Sequence, residues 1–377
     1  MRRSTNRILV SHAGTTPRPA DQSDLPRAVK DVVQKQVDAG IDIVNDGELS
    51  KSNFTNYVRD RLGGIAPADS KDSQLPPRNI NARDLREFPE FFATGGGGFG
   101  RNRPGAAPIA GRPVPMIVDG AITYVGAATV QTDIANLKNA LAELNADVEA
   151  FLPAVAPGTV EHWLYNQYYQ TDEEFLFALA DALHHEYKAI TDAGLNLQID
   201  DPDLPDGWQM FPEMSVAQYR TYAELRVEAI NRALRDIPTQ QVRLHVCWGS
   251  GLGPHKNDID LRDIVDIILR VNAQVYSIEA ANPRHQHEWR VWQDVRLPDG
   301  KSFMPGVISH ATDIVEHPRL VADRLVQYAR LVGKENVIAG TDCGVGSRVW
   351  NGEIAWAKFA AMAEGARIAS AELWGHQ

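Results

Sequence analysis

Short runs of β-branched and apolar residues alternate with segments of helical period along the whole 377-residue chain, and this alternation restricts the fold more than any other feature. Candidate strands lie at 7–11, 41–45, 115–118 with 122–125, 158–161, 196–199, 242–247, 274–278, 303–308 and 336–339. Between two of them, Leu261, Ile264, Val265, Ile268 and Leu269 recur at i, i+3, i+4, i+7 and i+8, the spacing of one apolar helix face. Strand–helix repetition of this kind builds a parallel sheet. About eight units favour an α/β fold closed into a (β/α)8 TIM barrel over an open doubly wound sheet. The 115–125 pair carries Asp119-Gly120, a hairpin-turn signal, and is expected to be a hairpin or excursion rather than a stave. The segment 127–151 reads as a polar helix or pair of helices. Residues 1–377 are expected to form one barrel domain with an irregular Gly/Pro-rich insertion at about 66–113. Its run Gly95-Gly96-Gly97-Gly98-Phe99-Gly100 has no strand before it and no Lys-Ser/Thr after it. A phosphate cradle is therefore not expected there, but a cover for the site or a subunit contact is.

Charge narrows the partners. Lys+Arg 38 against Asp+Glu 49 leaves a net charge of −11, which opposes nucleic-acid and anionic-membrane surfaces and favours a small-molecule substrate. The basic N-terminus is followed by an apolar stretch, Ile8 to Val10, too short for a signal-peptide core. No window approaches the roughly 18 apolar residues of a membrane span. A cytoplasmic protein is expected, with self-association left open.

The chain has two cysteines, in Leu244-His245-Val246-Cys247-Trp248 and Thr341-Asp342-Cys343-Gly344. Packing or a disulfide would account for two buried thiols. In a strand, however, side chains at i and i+2 share a face, so His245 and Cys247 can hold one ion together. Glu279 follows Cys247 by 32 positions, about one βαβ unit, which places it at the same end of the neighbouring strand. Cys343 ends a later strand at the same mouth. His245, Cys247, Glu279 and Cys343 then converge as four ligands for zinc. No closely spaced cysteine pair is present, so the site is expected to be catalytic rather than structural. Two thiolates and one carboxylate give a zinc complex of net charge −1. A thiol that replaces the oxygen ligand is held as a thiolate at neutral pH and stays nucleophilic, which suits alkylation of a small thiol.

Six blocks occur in order across nearly the whole chain: Gly14-Thr15-Thr16-Pro17-Arg18, Asp46-Gly47-Glu48, Ile199-Asp200-Asp201-Pro202, His245-Val246-Cys247, Ser277-Ile278-Glu279 and Asp342-Cys343-Gly344. Together they resemble the catalytic barrel of the cobalamin-independent methionine synthase family. The resemblance implies that His245, Cys247, Glu279 and Cys343 are the zinc ligands. The flanking residues depart from that family: Trp248-Gly249-Ser250, Ala280-Ala281-Asn282-Pro283-Arg284, and Gly340-Thr341 before Asp342. With the chain length, these departures look more like the short bacterial branch that contains epoxyalkane:coenzyme M transferase. Epoxide opening by coenzyme M is thus the first expectation. It would need an acid for the alkoxide, from His12, His255, His285, His287 or Tyr276, and a sulfonate partner among Arg18, Arg284 and Arg348. The alternative is methyl transfer to homocysteine, whose ammonium the family meets with carboxylates matching Glu48 and Asp200. Thr15, Arg18, Glu48, Asp200 and Arg284 form the expected substrate-binding set. A barrel related to uroporphyrinogen decarboxylase, with no thiol transfer, is the reading outside this class.

Overall fold

A computed structural model describes residues 1–53, 56–69, 75, 78–94, 115–144, 146–249, 251–349 and 351–375. Its strands are β1 (Leu9–Val10), β2 (Ile43–Val44), β3 (Leu62–Pro67), β4 (Met116–Tyr124), β5 (Glu149–Val155), β6 (Leu164–Asn166), β7 (Asn196–Asp200), β8 (Val242–Val246), β9 (Val275–Ile278), β10 (Ser302–Ile308) and β11 (Ile338–Thr341). Eight of them form one sheet in the order β1-β11-β10-β9-β8-β7-β5-β2, with every pairing parallel. The two ends of that order meet at Asp42. Its N–H donates to the Val10 carbonyl at 2.9 Å, its carboxylate accepts the Val10 N–H at 2.9 Å, and Ser11 Oγ donates to the Ile43 carbonyl at 3.0 Å. The architecture is the expected (β/α)8 barrel.

Strand alternation sorts β8 into two faces. Val242, Leu244 and Val246 are fully buried in the main apolar core between barrel and helices, whereas Arg243 and His245 belong to the polar interior. The helices complete the outer layer. Leu261–Ile268 buries Leu261, Ile264, Val265, Ile267 and Ile268, each worth roughly 1.5–3 kcal/mol relative to exposure. Inside the barrel, Leu9, Ile43, Phe151, Val275, Met304 and Ile338 form a separate apolar cluster. The Arg243 guanidinium lies 3.5 Å from the centre of the Phe151 ring, and the residues bearing chemistry follow at the C-terminal strand ends.

Three local expectations change. Residues 158–161 belong to the helix Pro157–His162, and the stave is β5, which starts within the last residues of the segment expected to be helical. Pro153 disguises it, because proline in a central strand removes a ladder donor. Here β2 pairs with β5 only at Glu149 and Ala150, so Pro153 lies beyond that ladder, and Lys51 Nζ takes its carbonyl. Residues 116–124 form the single strand β4, not a hairpin. It runs antiparallel to β3 with a register shift between Gly63 and Ile65. Gly64 makes the shift at φ +81°, where a Cβ would come within 2.4 Å of the Ala121 carbonyl oxygen. With β6, these strands form a small second sheet. The described part of the 66–113 segment also carries helices, Ala82–Glu87 and Pro89–Ala93. Arg83 anchors the first by donating to the carbonyls of Trp208 at 2.6 Å and of Phe211 and Met214 at 2.8 Å. The glycine run 95–100 lies outside the described residues. Among those described, no helix is long and apolar enough to cross a membrane.

Candidate metal centre and its carboxylates

Cys247 stands one residue past β8 and Cys343 two past β11, and the barrel brings their sulfurs to 3.7 Å. Neither is in a disulfide. A disulfide needs about 2.05 Å, whereas two sulfurs each about 2.3 Å from a tetrahedral zinc ion lie about 3.8 Å apart. Ligand atoms of His245, Cys247 and Cys343 all fall within 4.8 Å of one another. His245 Nε2 is buried without a hydrogen-bond partner, while Nδ1 meets Ser277 Oγ at 3.1 Å. One ring nitrogen oriented and the other free is the arrangement of a ligating imidazole. The Cys247 thiol is directed at Cys343, which holds the Cys343 thiol well below its ordinary range, and His245 adds to the effect. The same contact, with burial, raises Cys247. An anionic sulfur is thus already favoured at Cys343. Ser277→Ala removes the partner of His245 and is expected to weaken zinc binding about 10–100-fold, measured by competition with a chromogenic chelator.

Glu279 does not join this trio at the same spacing. Its Oε2 accepts the Trp248 N–H at 2.9 Å and its Oε1 accepts the Asn282 amide. It groups instead with His310 and Asp342, all three buried and with ligand atoms within 4.8 Å of one another. The structure therefore brings together three of the four expected ligands and sets the fourth in an adjoining group. Burial, then the Asp342 carboxylate, pushes Glu279 up to about 8. Asp342 is fixed by the N–H groups of Ala280 at 2.8 Å and Ala281 at 2.7 Å. His310 escaped sequence analysis. It stands two residues past β10 with a buried Nδ1 lacking a partner, and its only signal is the same strand-end position that flagged many other polar residues.

Two carboxylates share the mouth. Glu48, at φ +57°, accepts from Thr15 Oγ1 at 3.0 Å, and Asp200 at the end of β7 accepts from Gln198 Nε2 at 2.6 Å. Burial pushes Asp200 up to about 7, opposed by the His245 ring and reinforced by Glu48 and Cys343, so the acidic pair and the thiol site lie in one field. Gly14 sits against this pair at φ +127°, and a Cβ there would come within 2.4 Å of Glu48 Oε1. Gly14→Ala is expected to cost about 1–3 kcal/mol through backbone strain and to displace Glu48, seen as a lower melting temperature.

Of the three arginines expected as sulfonate partners, Arg18 and Arg284 bond to backbone carbonyls, while Arg348 lies near enough to His310 to oppose its protonation. Arg18 donates to the carbonyls of Leu49 at 3.1 Å, Glu48 at 3.2 Å and Lys51, tying down the loop after β2. Arg284 donates to the Lys256 carbonyl. The expected acids also have other roles. His12 is buried with Nε2 on Gln36 at 2.7 Å and edge contacts to Phe151 and Phe359. Burial drives it down to about 3, so it is neutral at pH 7 and has no proton to offer as an acid. Tyr276 donates to the carbonyls of Leu269 and Val271, and His287 is exposed.

His255 and His285 share Asp258 Oδ2, at 3.0 and 3.1 Å, and His285 also meets Glu288 at 3.0 Å while stacking on Trp248. Burial opposes their charge, but the Asp258 bond wins and raises them to about 9 and about 10. Their contribution to stability is complete below the ordinary histidine value and is lost as pH rises through 9 to 10. Burial likewise raises Asp258, but the two imidazoles outweigh it and hold that carboxyl at about 2, so its contribution is lost only in strong acid. The melting temperature is expected to fall between pH 7 and pH 10, with a shallower slope in His285→Gln.

A profile of the family described as "Cobalamin-independent synthase, Catalytic domain" matches residues 112–367. The methionine synthase of Thermococcus kodakarensis is 25% identical over 360 residues, covering 93% of this chain and 86% of its own. That of Saccharolobus solfataricus is 24% identical over 357 residues, covering 93% and 87%. Among solved structures, a B12-independent methionine synthase from Shewanella sp. W3-18-1, in complex with selenomethionine, superposes with TM-score 0.72 at 20% identity, covering 98% of this chain and 99% of that one. A putative vitamin-B12 independent methionine synthase from Listeria monocytogenes gives TM-score 0.63 at 16% identity, covering 98% and 100%. The barrel, the paired thiols at its mouth and the profile match agree: the chain belongs to the cobalamin-independent synthase catalytic-domain family.

Proposed function

We propose that this chain transfers a methyl group to the sulfur of a homocysteine-class amino thiol, with zinc held by His245, Cys247 and Cys343 and with Glu279 as the exchangeable oxygen ligand. The observation that carries the proposal is the pair of sulfurs 3.7 Å apart, not joined as a disulfide, beside an unpartnered His245 Nε2. When bound, zinc would lower the pKa of an incoming thiol so that it is a thiolate at neutral pH. The residues supply the rest. Ser277 orients His245, and Trp248 and Asn282 hold Glu279. Glu48 and Asp200 are the carboxyl groups that would meet an ammonium group. In the transfer, the sulfur electron pair forms the new S–C bond while the bond from that carbon to the donor breaks, its pair leaving with the donor.

The acidic pair supports an amino thiol over coenzyme M, because a sulfonate would face Glu48 and Asp200 while Arg18 is spent on three carbonyls. The names of the relatives point the same way: both archaeal proteins are methionine synthases, and the Shewanella enzyme was solved with an amino-acid selenoether. The test incubates zinc-loaded protein with homocysteine or 2-mercaptoethanesulfonate, each with a panel of methyl donors and short epoxides, and follows thiol loss. Consumption of homocysteine with a methyl donor is expected. Consumption of 2-mercaptoethanesulfonate with an epoxide, and none of homocysteine, would overturn the proposal.

A further inference from the structure

Arg243 is buried in the middle of the barrel with 1% exposure, and none of its hydrogen bonds goes to a carboxylate. Its Nε donates to Gln198 Oε1 at 2.6 Å, one terminal nitrogen donates to Ser11 Oγ at 2.8 Å, and the other donates to the His12 carbonyl at 2.5 Å. The first of these bonds decides the orientation of the Gln198 amide. Because the oxygen faces a group that can only donate, the NH2 must point the other way. It donates there to Asp200 Oδ1 at 2.6 Å and to the Ala13 carbonyl at 2.9 Å.

Ala13 begins the segment that carries the second carboxylate's neighbours. Its N–H is taken by Thr341 Oγ1 at 2.9 Å, the Gly14 carbonyl by Asn45 Nδ2 at 3.2 Å, and Thr15 Oγ1 donates to Glu48 at 3.0 Å. The position a Gly14 Cβ would take is 2.4 Å from Glu48 Oε1 and 3.8 Å from Gln198 Nε2. A single fully buried amide thus lies between the two acidic groups, touching one and holding the loop that contacts the other. A guanidinium buried at this depth is costly unless its bonds do something a hydrocarbon core cannot. Fixing that amide is such a task.

We infer that Arg243 and Gln198 are positioning residues that set the separation and donor environment of Asp200 and Glu48, and so give the site its preference for a thiol carrying an ammonium group over the same thiol without one. The inference rests on the amino-thiol reading above and adds the device that enforces it.

The test compares homocysteine with 4-mercaptobutanoate, which differs only in lacking the amino group, by calorimetric titration of the zinc-loaded protein. Three chains are used: parent, Gln198→Met and Gln198→Glu. Methionine leaves both Arg243 and Asp200 without the amide. Glutamate restores an acceptor for Arg243 but gives Asp200 a second carboxylate where its donor stood, and two carboxylates that close cannot both be ionised. Melting temperature is therefore expected to fall in Gln198→Met and to recover in Gln198→Glu. The homocysteine preference is expected to fall about tenfold in both variants, with 4-mercaptobutanoate binding unchanged. If Gln198→Glu recovers both stability and preference, or if neither variant shifts the preference, the pair is merely structural and the inference fails. If the parent shows no preference, the amino-thiol reading fails instead, and the two failures are told apart by that control.

Discussion

Cys343→Ala is expected to strip the protein of metal: elemental analysis after dialysis should give about one zinc per chain in the parent and a small fraction of that in the variant. Zinc binding by a four-ligand site is worth about 10–16 kcal/mol at pH 7, so one ligand represents about 3–4 kcal/mol, or two to three orders of magnitude in affinity. Cys343 is also the sulfur on which the electrostatics concentrate negative charge, through the Cys247 thiol first and the His245 ring after it. Cys247→Ala should behave similarly. Undiminished zinc in both variants would remove the metal from this pair of thiols.

The second large effect concerns the wall behind the site. Gly306 in β10 faces Asp342, where a Cβ would lie 2.0 Å from the carboxylate Oδ1, 2.8 Å from Cα and 2.9 Å from the backbone nitrogen. Two of those three atoms are main chain, so no rotamer change relieves the clash, and β10 must part from β11 just where its register already shifts. Gly306→Ala is expected to destabilise the protein by about 3 kcal/mol or more, read as a drop in the urea midpoint. Because Asp342 holds the N–H groups of Ala280 and Ala281 next to Glu279, any folded fraction should bind zinc more weakly. An unchanged midpoint would show that the sheet can yield there.

The barrel was legible because its staves are apolar runs punctuated by polar strand ends, and such runs do not depend on distant contacts. The exception, β5, was hidden by Pro153, whose cost vanishes only because β2 stops after Val44, a fact of tertiary pairing. The turn signal at Asp119-Gly120 marks instead a register irregularity within one strand, between the pairs Val118–Ile65 and Thr123–Gly63. In the site, His245, Cys247 and Cys343 could be placed together from strand periodicity and unit length alone. The setting of Glu279 could not, because it depends on the backbone N–H of Trp248 and the Asn282 amide. Arg18 attracted a substrate role through its charge, yet three backbone carbonyls of one loop claim it. His12 looked like a mouth residue by its position after β1, but its ring turns outward to Gln36 and Phe359, into the layer beneath the helices. Arg243 and Gln198 gave no signal in sequence, since an alternating polar residue in a stave reads as solvent-facing until the barrel closes around it.

Zinc K-edge absorption on the metal-loaded protein, recorded with and without homocysteine, tests the thiolate site most directly. The free protein should show two sulfur neighbours at about 2.3 Å together with nitrogen and oxygen, and homocysteine should add a third sulfur as the oxygen is lost. A spectrum that keeps two sulfurs in saturating homocysteine, or that shows none at all in the free protein, would contradict thiol activation at His245, Cys247 and Cys343.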